Sequence, residues 1–321
     1  MEKLSDKSAM LLLLLVLLVL RGASTAHAVT VTEFLVPTAN AGPRGITAGP
    51  DGNLWFTQAG SDKIGRITTG GTFLNEFTVP GAGSQPSGIA VGLDGNLWFT
   101  QAGSDQIGRI TTGGVIIEFT VPGIGSRPLG ITAGPDGNLW FTEAGSDQIG
   151  RITTGGTLLN EFTVPGIGSR PLGITAGPDG NLWFTQAGSD QIGRITTTGA
   201  LIEFTVLGIG SGPSGITAGP DGNLWFTEAG SDQIGRITTG GALTEFTVPG
   251  VASVPVGITT GPDGSIWFTQ FNSNQIGRLD PDTTAIPEPS SVVLLGVGLV
   301  ALAGCRRRVM GARFQLNPGC Y

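Results

Sequence analysis

The chain has 321 residues and 39% apolar content, enough to bury a core and too apolar for a disordered polymer. Between Val29 and Ala285 it carries 10 Lys and Arg against 21 Asp and Glu, a net of −11 spread evenly along the chain. Such a surface repels phosphate backbones and excludes nucleic acid as a partner.

The first element is a leader. Lys3 and Lys7 precede the apolar run Met10–Leu20, and Ala26-His27-Ala28 places small residues at signal-peptidase spacing. Eleven apolar residues are too few to span a bilayer, so residues 1–28 are expected to be a signal peptide cleaved by signal peptidase before Val29. Cleavage removes His27, the only histidine of the chain. Both cysteines, Cys305 and Cys320, fall at the opposite end, so the body lacks thiol and imidazole chemistry altogether.

Residues 29–285 form a repeat array. Its tryptophans, Trp55, Trp98, Trp140, Trp183, Trp225 and Trp267, are spaced by 43, 42, 43, 42 and 42 residues, the signature of one supersecondary unit copied six times. In the third unit "GITAG" (130–134) leads through Pro135-Asp136-Gly137, a hairpin signal, into "NLWFTE" (138–143). Leu139, Trp140 and Phe141 are consecutive apolar residues, which predicts a strand covered on both faces. "QIGRITT" (148–154) and "LLNEFTVP" (158–165) supply a third and a fourth strand.

Four short antiparallel strands per unit, with no helical period anywhere, predict an all-β β-propeller of six four-stranded blades, a seven-bladed ring being the alternative. The array opens on a lone fourth-strand segment, "TEFLVP" (32–37), and closes on a third-strand segment, "QIGRLD" (275–280). An N-terminal strand is therefore expected to complete the last blade and close the ring.

Residues repeated identically are expected to be structural. The arginines Arg66, Arg109, Arg151, Arg194, Arg236 and Arg278, and the aspartates of the "GSD" loops, predict interblade or turn-capping hydrogen bonds. Function is expected where the copies differ. The residue before each "GI" varies as Arg44, Ser87, Leu129, Leu172, Ser214 and Val256, and should ring one mouth of the central channel. The residue after each "WFT" is Gln58, Gln101, Glu143, Gln186, Glu228 and Gln270. Two carboxylates among four amides can hold a cation or a polar ligand, or serve as hydrogen-bonded groups at the core edge. Arg44, Ser87, Ser214, Glu143 and Glu228 are the candidate ligand-binding residues; no catalytic residue and no metal ligand is assigned.

At the C-terminus, Pro287-Glu288-Pro289 precedes an apolar stretch from Ser291 to Gly304 and the basic stop Arg306, Arg307 and Arg308. This order of parts resembles the PEP-CTERM sorting signal. The resemblance implies that residues 286–308 hold the exported protein transiently in the inner membrane until an exosortase-type protease releases or displays it outside. Residues 309–321 form a tail of unassigned role.

The unit "P-x-G-I-T-x-G-P-D-G-x-L-W-F-T-E/Q…I-G-R-I…E-F" resembles the repeat of virginiamycin B lyases, also called streptogramin lyases, over 32–280. The resemblance implies a β-propeller and, with Mg2+, a carbon-oxygen lyase that linearises streptogramin B depsipeptides by elimination. It also implies a catalytic histidine just before "G-I" in a late blade, where this chain has Ser214 and Val256. At the places of the family's metal-binding acids the last blade has Val254, Gln270 and Phe271. Proton abstraction needs a group that titrates near working pH, and the mature body has no histidine to supply it. The expectation is an exported, non-catalytic propeller that binds a small-molecule or polysaccharide ligand, or a partner, without a cofactor. The alternatives are a lyase that retains Mg2+ and a purely structural repeat protein.

Overall fold

A computed structural model describes residues 34–281, apart from 250, 251, 262, 273 and 274. The expected signal peptide, sorting segment and tail lie outside these residues. Each repeat folds into one antiparallel sheet whose strands follow chain order, and six such sheets form a six-bladed β-propeller. In the third blade the strands are Pro128–Ala133, Leu139–Glu143, Gln148–Ile152 and Leu158–Thr163. The turn between the first two passes through Gly137 at φ 83°, a conformation glycine adopts without steric cost.

The second strand is covered on both faces as its unbroken apolar run predicts: Leu139, Trp140 and Phe141 have no exposed surface. Trp140 stacks on Phe162 of its own blade at 5.5 Å between ring centroids. With Ile149 and Val164 it then packs against Ile174, Leu182, Phe184 and Ile195 of the next blade. Each such side chain contributes about 2 kcal/mol by leaving water. Equivalent clusters join every consecutive pair of blades from first to sixth.

The inner strands sit close enough to dictate sequence. A Cβ on Gly130 would lie 2.4 Å from the carbonyl oxygen of Leu172 in the next blade, so only glycine fits the "GI" position. Two residues of the first strand, Leu129 and Gly130, oppose the single Thr142 in a β-bulge. The bulge brings the threonine hydroxyl under both strands. Thr142 Oγ1 accepts from Gly130 N at 2.9 Å and donates to Leu172 O in the next blade at 2.8 Å.

The two ends of the array are less covered. Ile46 of the first blade is 63% exposed, whereas its counterparts Ile89, Ile131, Ile174 and Ile216 are 7–8% exposed. Ile276 of the sixth blade is 51% exposed, and the sixth sheet contains three strands among the described residues. The segment expected to supply its fourth strand is described only over 34–37, which form no strand.

Candidate functional site

In each of the first five blades the first strand begins, the second ends, the third begins and the fourth ends on the same face of the propeller, and the three described strands of the sixth follow the same order. That face therefore gathers the residues before "GI", the "GSD" loops and the links between blades. The links are held by the loop aspartates. Asp147 Oδ2 accepts from Gly168 N and Oδ1 from Arg170 N, both at 2.7 Å, across to the link that enters the fourth blade. Asp62, Asp105 and Asp190 make the same contacts at their own links, confirming the bridging role expected of this position.

The rim position coincides with the β-bulge of each inner strand. Arg44 is exposed, Ser87, Leu129, Leu172 and Ser214 are half-buried, and Val256 is 37% exposed. Their backbones are committed: the carbonyls of Ser87, Leu129, Leu172, Ser214 and Val256 accept from the "WFT" threonine of the preceding blade at 2.6–2.8 Å. The sequence marks these threonines only as invariant copies, and their stitching role depends on the bulge.

The same face exposes apolar side chains that the sequence reading passed over. Ile124, Ile167 and Ile209 stand fully exposed on three successive links, and each lies between two glycines with positive φ. The recurring Gly-Ile-Gly of these links is the signal that marks them. An apolar side chain between flexible residues in a polar loop has no core to join.

Glu143 and Glu228 do not belong to this exposed rim. Both are completely buried, in separate interfaces between blades two and three and between blades four and five. Over Gly150 of the adjacent strand lies the Phe141 ring, and beside it Glu143, with Oε1 2.8 Å from where a Cβ would stand. Its Oε2 accepts from Ser146 at 2.9 Å, while its Oε1 is buried without a hydrogen-bond partner. Glu228 repeats this arrangement with Ser231 at 2.8 Å and an unpartnered Oε1. Burial pushes both carboxyls up to about 7, against the serine hydrogen bonds and with help from Glu161 and Asp105 around Glu143, and from Glu245 and Asp190 around Glu228.

The opposite face carries the repeated arginines, as structural groups. Arg151 Nη1 reaches Thr197 O of the next blade at 2.7 Å and Asp136 Oδ2 at 3.2 Å, and its guanidinium lies 5.2 Å above the Trp140 ring. Asp136 also accepts from Trp140 Nε1 at 3.0 Å. Burial alone would raise Asp136, but hydrogen bonds from Asn138 and Trp140 outweigh it and hold the carboxyl below its usual value. Among the described residues no three Asp, Glu, His or Cys side chains converge to hold a metal ion. The donor set at hand therefore does not fit the Mg2+ that the resemblance implies.

Comparison with known proteins agrees with this architecture. The model of the Virginiamycin B lyase family matches residues 23–165 and 157–288, and the PEP-CTERM protein-sorting motif matches residues 285–308. The motif points to export and to surface or extracellular placement. The crystal structure of virginiamycin B lyase from Staphylococcus aureus is 42% identical, covers 76% of this chain and 82% of its own, and superposes with a TM-score of 0.73. A catalytically inactive histidine-to-alanine form of the S. aureus enzyme, crystallised with quinupristin, is 41% identical over 81% of this chain and 89% of its own, with a TM-score of 0.75. A virginiamycin B lyase of Saccharopolyspora erythraea is 54% identical over 43 residues, a match to 13% of this chain and only 14% of that relative.

Proposed function

The chain belongs to the virginiamycin B lyase family, and from that premise we propose that it is an exported propeller which binds a ligand or partner on its rim face without turning it over. One observation carries this reading. The six positions before "GI" hold Arg44, Ser87, Leu129, Leu172, Ser214 and Val256, none of which takes a proton at neutral pH. The carboxyls raised toward neutrality, Glu143 and Glu228, have no exposed surface of their own and are engaged by Ser146 and Ser231, which does not suit a base that must meet a substrate.

Loss of the base is compatible with binding. The S. aureus enzyme without its histidine is catalytically inactive, yet it was crystallised with quinupristin. Here the rim offers apolar surface at Leu129, Leu172 and Val256, further apolar surface at Ile124, Ile167 and Ile209, and polar handles at Arg44, Ser87 and Ser214. An apolar ligand with a few polar groups suits such a lining. Export would use signal peptidase before Val29 and an exosortase-type protease at the PEP motif, with transient anchoring by 286–308. Mass spectrometry of the exported protein is expected to find a terminus near Pro287; an intact Tyr321 would remove the sorting half of this reading.

The family match over most of the chain favours one alternative, a lyase running on another base. Incubation of the purified chain with quinupristin and Mg2+ separates the two, because elimination opens the ring and changes chromatographic retention without changing mass. Binding by calorimetry with unchanged retention is the expected result. Ring opening that persists in repurified enzyme would overturn the non-catalytic reading.

A further inference from the structure

The position after "WFT" makes one hydrogen bond in three blades that its chemistry forbids in two others. Gln58, Gln101 and Gln186 donate from Nε2 to Glu76, Glu118 and Glu203 Oε1 of the fourth strand at 3.0, 2.9 and 3.0 Å. Their amide oxygens accept from Ser61, Ser104 and Ser189. In the third blade Glu143 Oε2 keeps the serine bond, so its Oε1 stands where the amide nitrogen would be. Across from it, Glu161 Oε1 is also buried and without a partner. Two oxygens thus meet where the other blades have N–H and O, inside an interface with no exposed surface at Glu143. Leaving both ionised would cost Coulomb repulsion on top of the desolvation of each charge.

Something positive must lie between the two oxygens, and the groups at hand decide what. The glutamine blades set the separation at about 3 Å, a hydrogen-bond length. A divalent cation would need several oxygen ligands beyond these two, and among the described residues no three Asp, Glu, His or Cys side chains converge to supply them.

We propose that Glu143 and Glu161 share one proton, with the Glu143 carboxyl donating to Glu161 as the Gln186 amide donates to Glu203, and that Glu228 and Glu245 form a second such pair. In the fifth blade the assignment is sharper. Glu245 Oε1 accepts from Leu207 N at 3.1 Å, which makes Glu228 the donor of the pair. The link before the third blade has Pro122 at that place, which has no N–H to give, and burial correspondingly raises Glu161.

The charged groups around the pairs agree. Glu143 faces Glu161 from its own blade and Asp105 from the preceding one, and Glu228 faces Glu245 and Asp190. All four neighbours are acids, and no Lys or Arg is among the groups that shift either carboxyl. The consequence is a propeller with two proton-dependent interfaces, blades two to three and four to five. A carboxyl raised by folding stabilises fully below its unfolded value, and that stability is lost as pH rises through its folded value near 7.

The test is thermal unfolding of the full chain and of the E143Q/E228Q double variant between about pH 5.5 and about pH 8.5, in chelator. The wild-type midpoint is expected to fall across this window. The variant's is expected to stay flat and to exceed the wild type's at the alkaline end, with E143Q alone removing part of the slope. Parallel pH courses for the two proteins would overturn the proposal, as would a flat wild-type course. A rise of the wild-type midpoint on adding Mg2+ or Ca2+ at the alkaline end, absent in the variant, would put a cation in place of the proton and overturn it equally. Difference infrared spectra supply a readout independent of stability: a protonated-carboxyl band present in the wild type near neutral pH and missing from the variant is expected, and its absence from the wild type sinks the idea.

Discussion

Residues 128–152 of the third blade and 171–195 of the fourth are identical except at one place, Glu143 against Gln186. The two segments fold alike, with the same strands, the same bulge and the same Trp–Phe stack at 5.5 Å. Yet one carries a complete hydrogen-bond set at the core edge and the other carries two buried oxygens without partners. A single atom, nitrogen or oxygen, separates an inert interface from one whose stability depends on protons. Repetition thus serves as an internal control: properties shared by the two segments belong to the scaffold, and the difference at this core edge belongs to that atom.

The largest expected effect tests the shared part. Trp140→Ala and Trp183→Ala should each cost about 3–5 kcal/mol, since each ring is fully buried between blades. The two costs should agree closely, measured as denaturant midpoints at about pH 5.5, where the carboxyl pair is protonated. Trp267→Ala should cost clearly less, because its blade is half-covered on that side and no phenylalanine stacks on it among the described residues. Equal costs at all three positions would mean that the sixth blade is as well covered as the inner ones.

Next comes the difference itself, tested by exchange. Glu143→Gln should stabilise the chain above pH 7 and Gln186→Glu should destabilise it there. The ceiling is on the order of 3 kcal/mol, the shift from 4.5 to about 7 at about 1.4 kcal/mol per unit. Below the unfolded carboxyl value both effects should vanish, because there the proton is bound in either state. Urea titrations of the two variants at acidic and alkaline pH measure this. An effect of Gln186→Glu that persists at low pH would point to packing instead of charge.

Much of this scaffold is legible in the sequence, because the period of 42–43 residues and the doubly covered "LWF" strand leave a propeller as the natural architecture. The repeated Asp and Arg are likewise readable as bridging groups from their regularity. The fate of Glu143 is not. Its place at the end of the "NLWFTE" strand leaves open both a ligand-holding role and a place at the core edge, and only the neighbouring strands show it buried, with Oε1 beside the Phe141 ring over Gly150. The roles of Thr142 and of Leu129 also depend on a bulge that no local pattern announces. What escapes sequence reading here is what requires knowing which strands lie opposite one another, and by how many residues they slip.

The interblade stitch is expected to rank third. Thr142→Val and Thr185→Val each remove a hydroxyl that links Gly130 N to Leu172 O, or Gly173 N to Ser214 O. Leaving those backbone groups unpaired in a buried interface should cost about 1–3 kcal/mol, equal in the two blades and independent of pH between about 5 and 9. Isothermal unfolding of both variants at two pH values checks this. A cost in the third blade that changes with pH would link the stitch to the carboxyl pair one residue away.

The smallest effect concerns the opposite face, where Arg151 and Arg194 differ only in surroundings. Arg151 bonds Asn160 of the fourth strand and lies 3.2 Å from Asp136, whereas Arg194 has Ile202 opposite it and Asp179 at 3.6 Å. Exposed ion pairs contribute about 0–1 kcal/mol and weaken with salt, but a guanidinium bonded to a carbonyl and stacked on a ring does not depend on the pair alone. Arg151→Met and Arg194→Met should therefore each cost about 1 kcal/mol, with Arg151 the greater by a few tenths for its extra bond. Most of that cost should survive about 1 M NaCl, since the bonds to Thr197 O and Thr239 O at 2.7 and 2.8 Å and the stacking on Trp140 and Trp183 remain. If high salt abolishes both costs, the arginines act chiefly as counter-ions of the turn aspartates, and the blades are joined on this face by charge and not by hydrogen bonds to the next backbone.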